Sequence, residues 1–121
     1  MKGIYKGLIV MAIIFLISPL AEAQLSTQDL VKEWKAFQRM QAGQASAVDN
    51  ADAAMYIGYI SGIADAASYF RSDSNQVVVE EACNAVGKYL DKYPERWHGA
   101  AIYLVVEAMS QAKLKSAIKQ K

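Results

Sequence analysis

Gly58, Gly62 and Ala66 recur every four residues inside a mostly apolar stretch that runs from Ala53 to Ala67. On a helix that spacing stacks the three positions into one ridge with almost no side chain. Glycine in a helix interior costs about 1 kcal/mol against alanine. Two glycines on one stripe therefore predict that another helix backbone packs close against it. Small-residue ridges of this kind are best attested in membranes. Asp52 and Asp65, together with the shortness of the apolar run, argue against a bilayer span here. The stretch is read as the central helix of a small bundle.

The chain has 121 residues, enough for one domain. Its first residues read as a secretory signal peptide. Lys2 and Lys6 form a basic start, Gly7 to Leu20 is uncharged and mostly apolar, and Pro19 interrupts it. Ala21-Glu22-Ala23 is a small-x-small cleavage site before Gln24. The predicted division is a signal peptide over 1–23, cleaved after Ala23, and a helical domain over 24–121. An uncleaved anchor fits less well, because the apolar stretch falls short of the ~20 residues of a span. Removing 1–23 takes away Lys2, Lys6 and Glu22 and leaves basic and acidic side chains in equal number. Such a chain has no general electrostatic pull on nucleic acid. Cys83 is the sole cysteine, so no internal disulfide forms and stability rests on packing.

Four helices are expected, an all-α bundle-like domain. Ser26-Thr-Gln-Asp29 reads as a capped start, and Leu30, Trp34 and Phe37 place an apolar stripe on a first helix over 27–41. Lys32, Glu33, Lys35 and Arg39 lie off that stripe. Asp49 or Asn50 is the expected cap of the glycine-notched second helix, which ends near Phe70. The polar run Arg71-Ser72-Asp73-Ser74-Asn75 reads as a loop. Val79, Cys83, Val86 and Leu90 then carry a third helix from about Gln76 or Val77 to Lys92. Pro94 suits the first position of a fourth helix, with Glu95 beside its positive end. Trp97, Ala101, Leu104 and Ala108 form one stripe of it, and the all-apolar run from Gly99 to Val106 predicts that most of it is buried. The closing Lys113–Lys121 segment reads as a solvated basic end.

Catalytic patterns are sparse. Cys83 and His98 are the only cysteine and histidine, and Cys83 lies on an apolar stripe, which favours a structural thiol. His98 with Glu95 or Asp65 lacks metal-ligand spacing, and Glu80 and Glu81 diverge on a helix. Asp65, in an apolar turn, needs a partner if buried. The expected brace is Asp65 to His98, tying the second helix to the start of the fourth. No catalytic residue, metal or cofactor is expected.

Two segments resemble a known family. Gly58-Tyr59-Ile-Ser-Gly62-Ile-Ala-Asp65-Ala66 is similar to the GYI-x-G-x-x-DA helix of the Rap/Tai family of type VI secretion immunity proteins. Val86-Gly-Lys-Tyr89-Leu90-Asp-Lys-Tyr-Pro94-Glu95-Arg-Trp-His98-Gly-Ala-Ala101 resembles its V-x-x-YL-x-x-x-PE-x-x-H-x-x-A segment. The match extends over about residues 50–112. Where many members carry a cysteine before the first motif and another after the second helix, this chain has Tyr56 and the Arg71–Ser74 loop.

The resemblance implies a small helical periplasmic domain that binds a peptidoglycan amidase effector, blocks its cleft and catalyses nothing, and whose relatives often form homodimers. The motif residues Gly58, Tyr59, Gly62, Asp65, Tyr89, Leu90, Pro94, Glu95 and His98 would be structural. Partner recognition would fall on Arg71, Ser72, Asp73, Ser74 and Asn75, with 41–46 second. Two other readings are a periplasmic structural or stress-response protein of chaperone type with no toxin partner, and an enzyme dependent on both Cys83 and His98.

Overall fold

The computed structural model describes residues 24–70 and 78–119, with the side chains of 68–70 and 113–119 left out. The signal-peptide reading of 1–23 and the recognition residues Arg71 to Asn75 lie outside the described residues. Four α-helices follow in order: α1 (Thr27–Gln41), α2 (Ala47–Phe70), α3 (Val79–Lys92) and α4 (Ala101–Lys119), with a 3-10 turn at Pro94–Arg96 between the last two. Consecutive helices are packing neighbours, and α1 against α2 is the most extensive contact. The all-α fold expected from the sequence is the one observed.

The helix ends follow from local chemistry. The Ser26 hydroxyl accepts from the Asp29 amide at 3.1 Å and caps α1 as expected. At the other end Gly43 takes φ +71°, its amide bonds Met40 and the Gln44 amide bonds Arg39. That pattern satisfies the last carbonyls of α1 and needs a residue free of the left-handed penalty. The second helix starts at Ala47, ahead of the expected Asp49 or Asn50, because Ser46 is its cap. The Asp49 amide donates to the Ser46 hydroxyl and the Ser46 amide donates to the Asp49 carboxylate, each at 3.1 Å. Val78 precedes α3, which begins two or three residues later than the periodicity predicts.

The fourth helix corrects the sequence reading most. Pro94 opens the 3-10 turn and not α4. Gly99, at φ +122°, breaks the chain before Ala101. The break allows pairing with the start of α1: the Thr27 amide donates to the Gly99 carbonyl and the Ala101 amide to the Leu25 carbonyl, both at 2.9 Å. The Thr27 hydroxyl donates a second bond to the Gly99 carbonyl at 3.1 Å.

The core is formed by Leu30, Trp34 and Phe37 of α1, Tyr56 and Ile60 of α2, Cys83, Val86 and Leu90 of α3, and Leu104 and Val105 of α4. Burying one such aliphatic side chain contributes roughly 1.5–3 kcal/mol, so this cluster holds the fold where no disulfide does. Trp34, Phe37 and Tyr56 pack ring to ring at 5.3–5.8 Å between centroids. Their polar atoms are satisfied. The Tyr56 hydroxyl donates to the Cys83 carbonyl at 2.7 Å, and the Trp34 indole N–H is shared by both Asp91 carboxylate oxygens at 3.2 Å.

One expectation about a buried face is overturned. Gly58 and Gly62 face open space, and both they and Ala66 are exposed, so no helix of the described chain lies on that ridge. The close approach occurs at Gly87 of α3, against the ring of Trp34. Glu33, off the main apolar stripe, is buried with 5% exposure.

Candidate functional site

The site-like features gather where α3 turns into α4. Tyr93 follows α3 outside the helical region, at φ -126° and ψ 62°, with Pro94 opening the following 3-10 turn. That turn aims Arg96 back across the helix pair. Its guanidinium donates to the Tyr89 hydroxyl at 2.7 Å and to the Glu107 carboxylate at 2.6 Å, so α3, the turn and α4 are held by one side chain. The Arg96 hydrogen bond, and then the Tyr89 hydroxyl, lower the Glu107 carboxyl below its ordinary range. Both ends of the Arg96–Glu107 pair are partly in solvent, and such exposed pairs position side chains more than they stabilise. The Trp97 indole donates to the Leu90 carbonyl at 2.9 Å, fixing the turn from inside.

Beside this clamp lies an exposed apolar face. Val106 lies one helical turn beyond Ile102 and Tyr103 on α4, and the three are 48%, 38% and 76% exposed in that order. The sequence reading had most of this helix buried. Only its other side is, through Ala101, Leu104, Val105 and Ala108. An open groove of about 340 Å³ runs next to the face, with Thr27, Arg96, His98 and Tyr103 among its lining residues. The arrangement is a rigid helical surface with an aromatic at its centre and a charged rim. Such a surface suits protein contact, where tyrosine and arginine dominate binding energy.

The expected motif residues are scattered. Tyr89 and Leu90 are buried, Tyr59 is half-buried, and Gly58, Gly62, Asp65, Pro94, Glu95 and His98 are exposed. The brace between Asp65 and His98 does not form, since both side chains are in solvent and no bond joins them. Cys83 is fully buried under a second, apolar groove lined by Phe37, Met40, Ile57 and Val79. Burial, then the negative charge of Glu80, pushes its thiol up to about 11. A thiol so held is protonated at neutral pH, and the groove beside His98 is a different one. Among the described residues no group of three or more His, Cys, Asp or Glu side chains is placed to hold a metal ion. None of the described helices is long and apolar enough to cross a membrane.

Residues missed by sequence reasoning are Ile102, Tyr103 and Val106, and the Arg96–Glu107 contact. The only signal was Glu107 at the end of an apolar run, one turn past Tyr103. Compared with known proteins, residues 26–112 match the family described as Rap1a immunity proteins. No curated protein and no solved structure matches the chain.

Proposed function

The chain belongs to the Rap1a immunity protein family, and from that premise we propose that it neutralises a type VI secretion effector with peptidoglycan amidase activity by occluding the effector's cleft. Occlusion asks for a stiff surface and no chemistry of its own. The observation that carries this reading is the exposed Ile102–Tyr103–Val106 face beside the Arg96–Glu107 clamp. Contiguous apolar residues left in water on a small domain mark interaction surfaces. Arg71, Ser72, Asp73, Ser74 and Asn75 form the second recognition element in this proposal, their polar side chains suited to hydrogen bonding in a cleft. The site of action is the periplasm, reached through the signal peptide over 1–23, and self-association as a homodimer belongs to the same reading.

A protection assay tests it. Amidase effectors of the same cell are exported to the periplasm with and without this protein. Rescue that is lost on changing Tyr103 and Val106, or residues 71–75, while the fold survives, supports occlusion and assigns the surface. Absence of rescue and of binding for every such amidase overturns the amidase assignment and moves the function to the structural or stress-response reading. Sedimentation of the purified protein tests the homodimer separately.

A further inference from the structure

Glu33 is the one acidic side chain in the buried set, and its Oε2 is enclosed with no hydrogen-bond partner among the described residues. A buried carboxylate normally has its oxygens satisfied or a cation beside it. Glu33 sits where α1 packs on α2, and its surroundings are of the wrong sign. Asp29 and Lys32 on α1 and Asp52 on α2 act on it, and among the described residues no charged side chain of α3 or α4 does. Lys32 is the only cation of that group. It is 72% exposed and lies 3.9 Å from Asp52, so its attraction is screened and shared. Tyr56 and Tyr59 of α2 feel the charge of Glu33 and are held more strongly in their neutral forms, chiefly by burial and in smaller part by that charge.

We infer that Glu33 is a proton-operated latch between α1 and α2: the protonated carboxyl is a neutral buried group that the contact accommodates, and loss of the proton leaves a buried charge facing Asp52. Burial first, and the repulsion from Asp52 and Asp29 second, raise the carboxyl above its ordinary 4.5. The folded chain therefore binds this proton more tightly than the unfolded chain does. The penalty of ionised Glu33 is full above the folded value and absent below 4.5. The α1–α2 contact firms as the medium acidifies, opposite to the usual behaviour of a paired carboxylate.

The test is thermal unfolding of the full chain and of Glu33→Gln from neutral pH down to 4.5. Gln keeps the shape of the side chain and cannot ionise. The expected result is a higher Tm at neutral pH for Glu33→Gln than for the unaltered chain, with the gap closing as the pH falls. A gap that is constant with pH, or a lower Tm for Glu33→Gln at neutral pH, overturns the latch. If Glu33→Gln does not fold, carbon NMR of the Glu33 carboxyl in the unaltered chain decides the matter. A midpoint above 4.5 supports the latch and one at or below 4.5 overturns it.

Discussion

The indole of Trp34 lies over Gly87 so closely that its ring carbons occupy the space a side chain at 87 would take. The two residues bring α1 and α3 together at the centre of the domain, and the indole N–H reaches on to Asp91. Gly87→Ala gains about 1 kcal/mol in helix propensity. It must also displace a ring packed against Phe37 and Tyr56, and overpacking of this kind costs about 1–3 kcal/mol. Because the obstacle is a ring fixed on several sides, displacement wins. Denaturant unfolding is expected to show a net loss of up to about 2 kcal/mol for Gly87→Ala. Gly58→Ala and Gly62→Ala, which meet open space, are expected to gain roughly 0.4–1 kcal/mol each. Equal effects at all three glycines would contradict the packing described.

Cys83 provides a reporter of global opening. Its side chain is fully buried and burial holds the thiol protonated at neutral pH. A disulfide reagent is expected to label the native protein at a rate set by unfolding, and the denatured protein at once. Labelling of the native protein as fast as the denatured one would show that the groove over Cys83 opens locally.

How much of this was legible in the sequence depends on whether a residue's signal is local. The stripe Leu30, Trp34, Phe37 and the cap Ser26–Asp29 obey one-helix rules, and both are found as read. The glycine ridge failed because spacing tells which face of a helix lacks side chains, not what stands opposite. Gly87, the tight glycine, has no periodic partner to announce it. The run from Gly99 to Val106 contains no polar residue to mark its wet side, so Tyr103 and Val106 read as core. Glu33 lies off the apolar stripe, and its burial at the edge of a helix pair depends on the partner helix, which spacing along α1 does not reveal.

Asp49 is expected to show a pH dependence of opposite sign to Glu33. The Arg39 guanidinium, 2.7 Å away, and then the Ser46 amide hold its carboxyl well below the ordinary 3.8. Its stabilising contribution is present above 3.8 and fades as the pH falls toward the folded value. Asp49→Ala is expected to melt below the unaltered chain at neutral pH, with the difference narrowing only in strong acid. Added salt narrows it further through the exposed Arg39 pair. A Tm difference that stays unchanged in strong acid would mean that the charge of Asp49 contributes nothing to it.

Tyr103 separates stability from recognition. At 76% exposure it has little packing to lose, and surface substitutions of this kind usually change stability by less than about 0.5 kcal/mol. A tyrosine at the centre of an interface behaves otherwise, with truncation costing about 2 kcal/mol or more, roughly thirty-fold in affinity. Tyr103→Ala is therefore expected to leave the melting curve in place and to weaken effector binding by at least that factor in calorimetry. Arg96→Ala releases the clamp on Tyr89 and Glu107 and is expected to weaken binding less, through the rim and the altered set of α4. If Tyr103→Ala binds as tightly as the unaltered chain, the α4 face is not the recognition surface, and the comparison passes to residues 71–75. If it unfolds the domain, Tyr103 is holding structure that its exposure does not reveal.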